Sequence, residues 1–249
     1  MVKAVVFDLD NTLIDFIKFK SACVDEACDA MIDAGINTTK ENLLEEIYSI
    51  YNKKTYEYHQ VFDDIIKKYN KDDKEHDKIL ANAIIAYRRV KNAYLETYPR
   101  TRSTLVYLMK KGMKLAIISD APRMRAHMRL CSAKLQEFFD VIVTYDDTKK
   151  IKPDSAPFLY ALKQLKLKPS ECVYIGDDQI KDIEGAKKIG FITVLAHYKN
   201  QKQFSEYGSD EKNSYYSNKK IKKNLYDYKI EDISELKNII SKENKKHTY

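Results

Sequence analysis

The sequence predicts an α/β fold: a doubly wound, mainly parallel sheet with a helical segment inserted after its first strand. Three observations predict it. Short apolar runs rich in Val and Ile recur along the chain, several without polar alternation, as expected of parallel strands buried on both faces. Segments with apolar residues at helical spacing lie between them, the pattern of a doubly wound sheet. Residues 16–99 break this rhythm, carrying helical patterns and no clear strand.

The strand-length runs are Ala4 to Phe7, Leu115 to Ile118, Val141 to Val143, Val173 to Ile175 and Ile192 to Leu195. Thr101 to Lys111 puts Leu105, Leu108 and Met109 on one helical face and stops at Gly112. Ala156 to Leu165 repeats the spacing with Phe158, Leu159, Leu162 and Leu165, with Pro153 and Pro157 near its start. Ile183 to Ile189 ends at Gly190. Tyr228 to Ile230 adds an edge strand and Ile233 to Ile240 a terminal helix; residues 199–224 are polar and read as an exposed loop.

Within the insert, four stripes recur at three or four residues. They are Phe19, Cys23, Ala27, Ala30 and Met31; Leu43, Ile47, Ile50 and Tyr51; Phe62, Ile65, Ile66 and Tyr69; and Ile79, Ala83, Ala86 and Tyr87. Four helices are expected, giving a discontinuous core of residues 1–15 and 100–249 and a helical segment of 16–99. The insert is either a cap over a site or a bundle with only a packing role, and its place directly after a carboxylate pair favours the cap. Tyr48, Tyr51, Tyr56 and Tyr58 either face a ligand or pack in the bundle.

Composition narrows the class. With 44% hydrophobic and 33% charged residues the chain reads as globular, and no apolar run approaches the ~20 residues needed to span a bilayer. The short apolar run at the N-terminus ends at once in aspartates, unlike a signal peptide, so a cytoplasmic protein is expected. The four cysteines form no CxxC pair and are expected as reduced thiols. The formal charge of +7 would suit an anionic partner, but only seven of the 44 basic residues are Arg. Phosphate-backbone readers commonly use Arg forks as well as Lys, so nucleic acid is not expected. No membrane partner is expected either, and the chain is expected as a monomer or a homodimer.

The position of the carboxylates points to chemistry. Asp8 and Asp10 follow the first run, Ser119 and Asp120 the second, and Asp177 and Asp178 the fourth. In an open parallel sheet, ligands bind in the crevice at the carboxyl ends of the strands. Several carboxylates delivered to one crevice repel one another unless a hard cation relieves them, and oxygen ligands with water suit Mg²⁺. Lys152, before Pro153 and after the third strand, is either a phosphate-holding cation beside these carboxylates or one surface lysine among many.

Four segments then resemble the motifs of the haloacid dehalogenase-like hydrolases. Phe7-Asp8-Leu9-Asp10-Asn11-Thr12-Leu13 is similar to their DxDxT signature, Ile118-Ser119-Asp120 to their second motif and Lys152-Pro153 to their third. Gly176-Asp177-Asp178-Gln179-Ile180-Lys181-Asp182, with the trailing Gly185-Ala186, resembles their GDxxxD motif. All four stand in the family's order, and the resemblance spans roughly residues 1 to 240. It implies a Rossmann-like fold and, from the position of the insert, the subgroup with an α-helical cap.

The resemblance also implies roles. Asp8 would attack phosphorus and Asp10 would act as acid and base. Ser119, Asp120 and Lys152 would bind the substrate phosphate. Asp8, the Asp10 carbonyl and Asp177 would hold Mg²⁺, with Asp182 in an outer, water-mediated position and Asp178 in either. Asp120 could instead cap a helix. Dehalogenases of the superfamily usually lack an acid at the position of Asp10, so its presence favours phosphoryl transfer. The expected function is a Mg²⁺-dependent phosphatase acting on a small phosphorylated metabolite through an aspartyl-phosphate. A sugar-phosphate phosphomutase is the enzymatic alternative, and a non-catalytic interaction protein with a Lys-rich surface the alternative of another class.

Overall fold

In the computed structural model of the chain, which describes residues 1–69, 72–93, 95–198 and 225–246, six parallel strands form one sheet. They are β1 (Ala4–Phe7), β2 (Lys114–Ile118), β3 (Val141–Val143), β4 (Cys172–Gly176), β5 (Ile192–Ala196) and β6 (Tyr228–Ile230), in the spatial order β3-β2-β1-β4-β5-β6. The fold is α/β and Rossmann-like. β1 is central, and its AVVF sequence is buried throughout because both faces of the sheet are covered. On one face Ala4, Val6, Ala116, Ile118, Cys172 and Tyr174 pack with residues of two later helices, including Phe158, Leu162 and Ala186. The expected segment 199–224 lies outside the described residues.

Ten helices are described. After β1 come α1 (Phe16–Asp33), α2 (Lys40–Lys53), α3 (Val61–Tyr69) and α4 (Asp73–Ala93). Then follow α5 (Thr101–Lys110), α6 (Arg123–Ser132), α7 (Tyr145–Thr148), α8 (Ser155–Leu165), α9 (Gly185–Ile189) and α10 (Leu236–Lys245). The chain divides into two compact units. Among the described residues, one contains 1–15, 96–198 and 225–246, and the other 16–69, 72–93 and 95. Residues 96–98 belong to the first because they run antiparallel to 13–15: Ile14 bridges Thr97, and the Asp15 and Tyr98 N–H groups donate to Glu96 and Leu13.

The helical unit has a core of its own, with Ile17, Val24, Met31, Leu43, Ile47 and Ile65 fully buried. Tyr48 and Tyr51 sit in that core and Tyr56 and Tyr58 pack against it, so packing accounts for the tyrosine cluster. Lys20 is buried there too, its Nζ donating to the Tyr87 hydroxyl at 3.0 Å and lying over the Tyr51 ring. The flexible stem buries well, and the two rings supply the face and hydroxyl that a buried ammonium needs.

α6, α7 and the helix expected from Ile183 depart most from the sequence expectation; α7 is a single four-residue turn. α6 is not legible as a periodic stripe, because Arg, Met and His dominate it and only Ala126, Arg129 and Leu130 are buried. The helix expected from Ile183 begins earlier, in a wider π turn over Gln179–Glu184 that passes into α9. Asp178 starts that turn, its side chain accepting from the Ile180 and Lys181 N–H groups. Cys23, Cys28 and Cys172 are buried thiols and Cys131 is exposed; none forms a disulfide. No helix among the described residues is long and apolar enough to cross a membrane.

Candidate active site

The sheet order sets the location. β1 and β4 are neighbours although β2 and β3 come between them in sequence, so the connections leave in opposite directions at their C-terminal ends. Phe7 pairs with Ile117 on one side and Ile175 on the other. Asp8 therefore emerges level with the end of β4, its N–H donating to the Ile175 carbonyl at 2.8 Å. Ser119 and Asp177 follow the two flanking strands one residue beyond that level.

The loop after β1 turns sharply. Asn11 takes the left-handed conformation (φ 62°), which Asn tolerates better than most residues. The Leu13 N–H returns to the Leu9 carbonyl. Thr12 comes back under Asp8 and donates its hydroxyl to Asp8 Oδ2 at 3.1 Å. Tyr198, from beyond β5, donates to the Thr12 carbonyl at 2.9 Å and fixes the loop from below.

Lys152 is the hub. It is 3% exposed, and its Nζ lies 2.5 Å from Asp8 Oδ1 and 2.7 Å from Asp182 Oδ1. Its backbone N–H donates to Asp120 Oδ1 at 2.9 Å, so Asp120 ties the loop after β2 to the loop after β3 and does not cap a helix. Asp182 is fully engaged by protein donors: Lys152 and the Tyr174 hydroxyl (2.9 Å) at Oδ1, and the Asp178 N–H (3.0 Å) at Oδ2. Ser119 Oγ is buried and accepts from the Ala121 N–H at 3.2 Å. Asp10 Oδ2 pairs with Arg129 NH1 at 2.5 Å. Asp8, Asp177 and Asp182 each bring one carboxylate oxygen within 4.8 Å of the others; Asp178 and the Asp10 side chain lie outside that group.

The sequence profile of the haloacid dehalogenase-like hydrolases matches residues 5–196. The chain belongs to this family. It is 37% identical over 198 residues to a glyceraldehyde 3-phosphate phosphatase of Methanocaldococcus jannaschii, covering 78% of this chain and 84% of that one. A glyceraldehyde 3-phosphate phosphatase of Methanothermobacter thermautotrophicus is 32% identical over 241 residues, covering 96% of this chain and all of its own. Among solved structures, a haloacid dehalogenase-like phosphatase from Thermococcus onnurineus superposes with a TM-score of 0.65 at 26% identity, covering 96% and 98% of the two chains.

Electrostatics explain why this haloacid dehalogenase-like hydrolase gathers its acids around a lysine. Burial pushes the Asp8 carboxyl up to about 8; Lys152 opposes the rise, and Asp182 and Asp10 add to it. Burial and the neighbouring charges of Asp8, Asp182 and Asp178 hold Asp177 well above the usual carboxylate range. Burial disfavours the Lys152 charge, but Asp182 and Asp8 outweigh it and keep the ammonium protonated. One lysine does not balance three converging carboxylates. An all-oxygen, anionic donor set of this kind fits a hard divalent cation; Asp8 and Asp177 are the carboxylates placed to hold one, with Asp182, whose oxygens are taken by protein donors, behind them.

Two residues of the site lie outside the family motifs. Tyr174 sits in the middle of an apolar strand, its ring packed on Phe158 and Phe191. Burial raises its hydroxyl well above the usual range, so it stays a donor to Asp182. Arg129 lies on the inner face of α6 beside Ala126 and Leu130. For Tyr174 the signal was a hydroxyl within an otherwise apolar strand; Arg129 had none, since α6 shows no apolar stripe in the sequence.

Proposed function

We propose that the chain is a Mg²⁺-dependent phosphatase acting on a small phosphorylated metabolite, with Asp8 as the nucleophile. The observation that carries this reading is the Asp8 carboxylate at the switch point of the sheet. It is oriented by Lys152 at one oxygen and by Thr12 at the other, and grouped with Asp177 and Asp182. Fixed orientation is what an in-line attack on phosphorus requires.

In the first step an Asp8 oxygen bonds to phosphorus and the bond to the leaving oxygen breaks, while Asp10 gives that oxygen a proton. In the second, water attacks the same phosphorus, the bond to Asp8 breaks, and Asp10 takes the water proton. Lys152 pairs with a phosphoryl oxygen as well as with Asp8, and Ser119 donates its hydroxyl to another. Asp120 acts on the phosphate through Lys152, whose backbone it holds. Asp8, Asp177 and the Asp10 carbonyl would hold Mg²⁺, with Asp182 behind them anchoring Lys152; when bound, the ion neutralises negative charge on the phosphoryl oxygens.

The helical unit, inserted directly after Asp10, would act as the cap that selects substrate. The relatives' activity makes glyceraldehyde 3-phosphate the substrate of first choice. The free thiols support a cytoplasmic setting.

The test is hydrolysis of p-nitrophenyl phosphate and of glyceraldehyde 3-phosphate, with Mg²⁺ and with EDTA, by wild type and Asp8→Asn. Turnover that needs both the metal and Asp8 is the expected result. Turnover indifferent to Asp8→Asn would overturn the mechanism, and hydrolysis of the aryl ester alone would overturn the triose phosphate.

A further inference from the structure

We infer that Arg129 is a positioning residue for Asp10, holding its carboxylate in the direction that proton transfer needs. The inference rests on the proposed role of Asp10 and extends it to a residue on a distant element.

The contact is made by the fold. Arg129 and Asp10 are 119 residues apart, one on α6 and the other in the loop after β1, yet NH1 lies 2.5 Å from Oδ2. The arginine side chain is 10% exposed and its carboxylate partner 23%. Burying a guanidinium removes its hydration, a cost that pairing must first return. The neighbours of Arg129 on the buried stripe of α6 are Ala126 and Leu130, and a Leu or Met there would pack without that cost. Stability alone therefore does not account for the arginine.

Asp10 is the acid whose geometry matters most. It must face the leaving oxygen in one step and the attacking water in the next, both on the line through phosphorus and Asp8. A carboxylate in a turning loop needs an external hold to keep that direction. Asp8 has Lys152 and Thr12, and Asp182 has Lys152, Tyr174 and the Asp178 N–H. Arg129 supplies the corresponding hold on Asp10. A guanidinium donates along fixed in-plane directions in a way that a rotating ammonium does not, here through NH1 to one carboxylate oxygen. Arg129 itself exchanges no proton and touches no reacting atom; it acts through Asp10.

The two chemical steps separate this role from a structural one. p-Nitrophenolate leaves readily as an anion, so the first step on p-nitrophenyl phosphate needs little help from an acid. An alkyl phosphate needs that proton, and the second step needs Asp10 as base for every substrate. In Arg129→Met the first turnover on p-nitrophenyl phosphate should stay within about threefold of wild type, followed by steady-state turnover lowered about 10- to 100-fold. Hydrolysis of glycerol phosphate should fall about 100-fold with little change in KM, within the range that general acid–base catalysis contributes. Asp10→Asn should show the same burst, and the double variant should be no slower than Asp10→Asn alone.

Arg129→Lys guards against a folding defect, because it keeps the charge and stem. It should retain wild-type thermal stability within a few degrees and recover part of the glycerol phosphate rate. Equal loss of burst and steady state in a folded variant, wild-type rates on both esters, or additive losses in the double variant would each overturn the inference. A wild type without turnover, or an Asp10→Asn variant as active as wild type, would overturn the proposed chemistry of Asp10 and this inference with it.

Discussion

A single methyl group tests how tightly the lysine hub is held. Gly176 ends β4, and a Cβ added there would lie 2.3 Å from Asp182 Cγ. The neighbour is a carboxylate with three donors on it, not the free end of a flexible chain. Either Asp182 or the end of β4 must move, and Lys152 loses one of its two anions. Gly176→Ala should destabilise the protein by about 1–3 kcal/mol, the usual cost of overpacking, and lower kcat at least about tenfold, since an oriented charge at the phosphate contributes that much or more. Gly112→Ala is the control: it has open space around it but φ +72°, so it should cost about 1 kcal/mol and leave kcat unchanged. Wild-type activity in Gly176→Ala would show that Asp182 can shift without taking Lys152 along. None of this was readable in the GDxxxD motif, which announces acids but not that both oxygens of the second one are spent on the protein.

At the scale of elements, the strands were the most legible parts of the fold: the interior β1 and β4 are buried throughout, and the partly exposed edge strands β3 and β6 keep enough Val, Ile and Tyr to read as strands. β1, β3 and β6 lie where the apolar runs place them, and β2, β4 and β5 extend them by one or two residues. Strands enclosed on both faces need no polar positions. α6 and α7 were illegible for the opposite reason: one buries few residues, and the other is four residues long and held by its cap. That cap is a reciprocal box in which Asp147 accepts from the Thr144 N–H at 2.8 Å and the Thr144 hydroxyl at 2.7 Å; Arg123 adds an ion pair at 2.6 Å. Asp147→Ala should cost about 1 kcal/mol, lowering the thermal midpoint by about 2–4 °C for a chain of this size. Burial opposes the Asp147 charge, but the Thr144 and Arg123 contacts outweigh it and hold the carboxyl below its usual value. A lowered value means that the stabilisation is complete above the unfolded carboxyl value of about 3.9 and is lost as the pH falls through the folded one. Melting curves of wild type and Asp147→Ala should therefore differ at pH 7 and converge in acid. A gap that persisted in strong acid would assign the loss to packing.

Over the whole molecule, the convergence of the acids follows from the parallel sheet. When every strand runs the same way, residues that follow strands arrive at one end, which is why Asp8, Ser119 and Asp177 could be grouped from sequence. Arg129 and Tyr174 could not, since each belongs to the site through a packing decision made by another element. The convergence also opposes folding. Asp8, Asp177 and Asp182 stand within 4.8 Å of one another, and burial with mutual repulsion raises Asp8 and Asp177 far above ordinary carboxylates. A cation bound only by the folded chain stabilises it by mass action, about 2.7 kcal/mol at a hundred times its dissociation constant. Mg²⁺ should therefore raise the thermal midpoint of wild type by about 5–10 °C over EDTA, at about 2–4 °C per kcal/mol. Asp177→Asn removes a charge from the cluster and a ligand from the cation. It should melt above wild type in EDTA and fail to respond to Mg²⁺, so that the two proteins exchange rank when the metal is added. A midpoint of wild type that ignored Mg²⁺ would mean that Lys152 alone balances the three acids, and the metal-holding role assigned to Asp177 would fall.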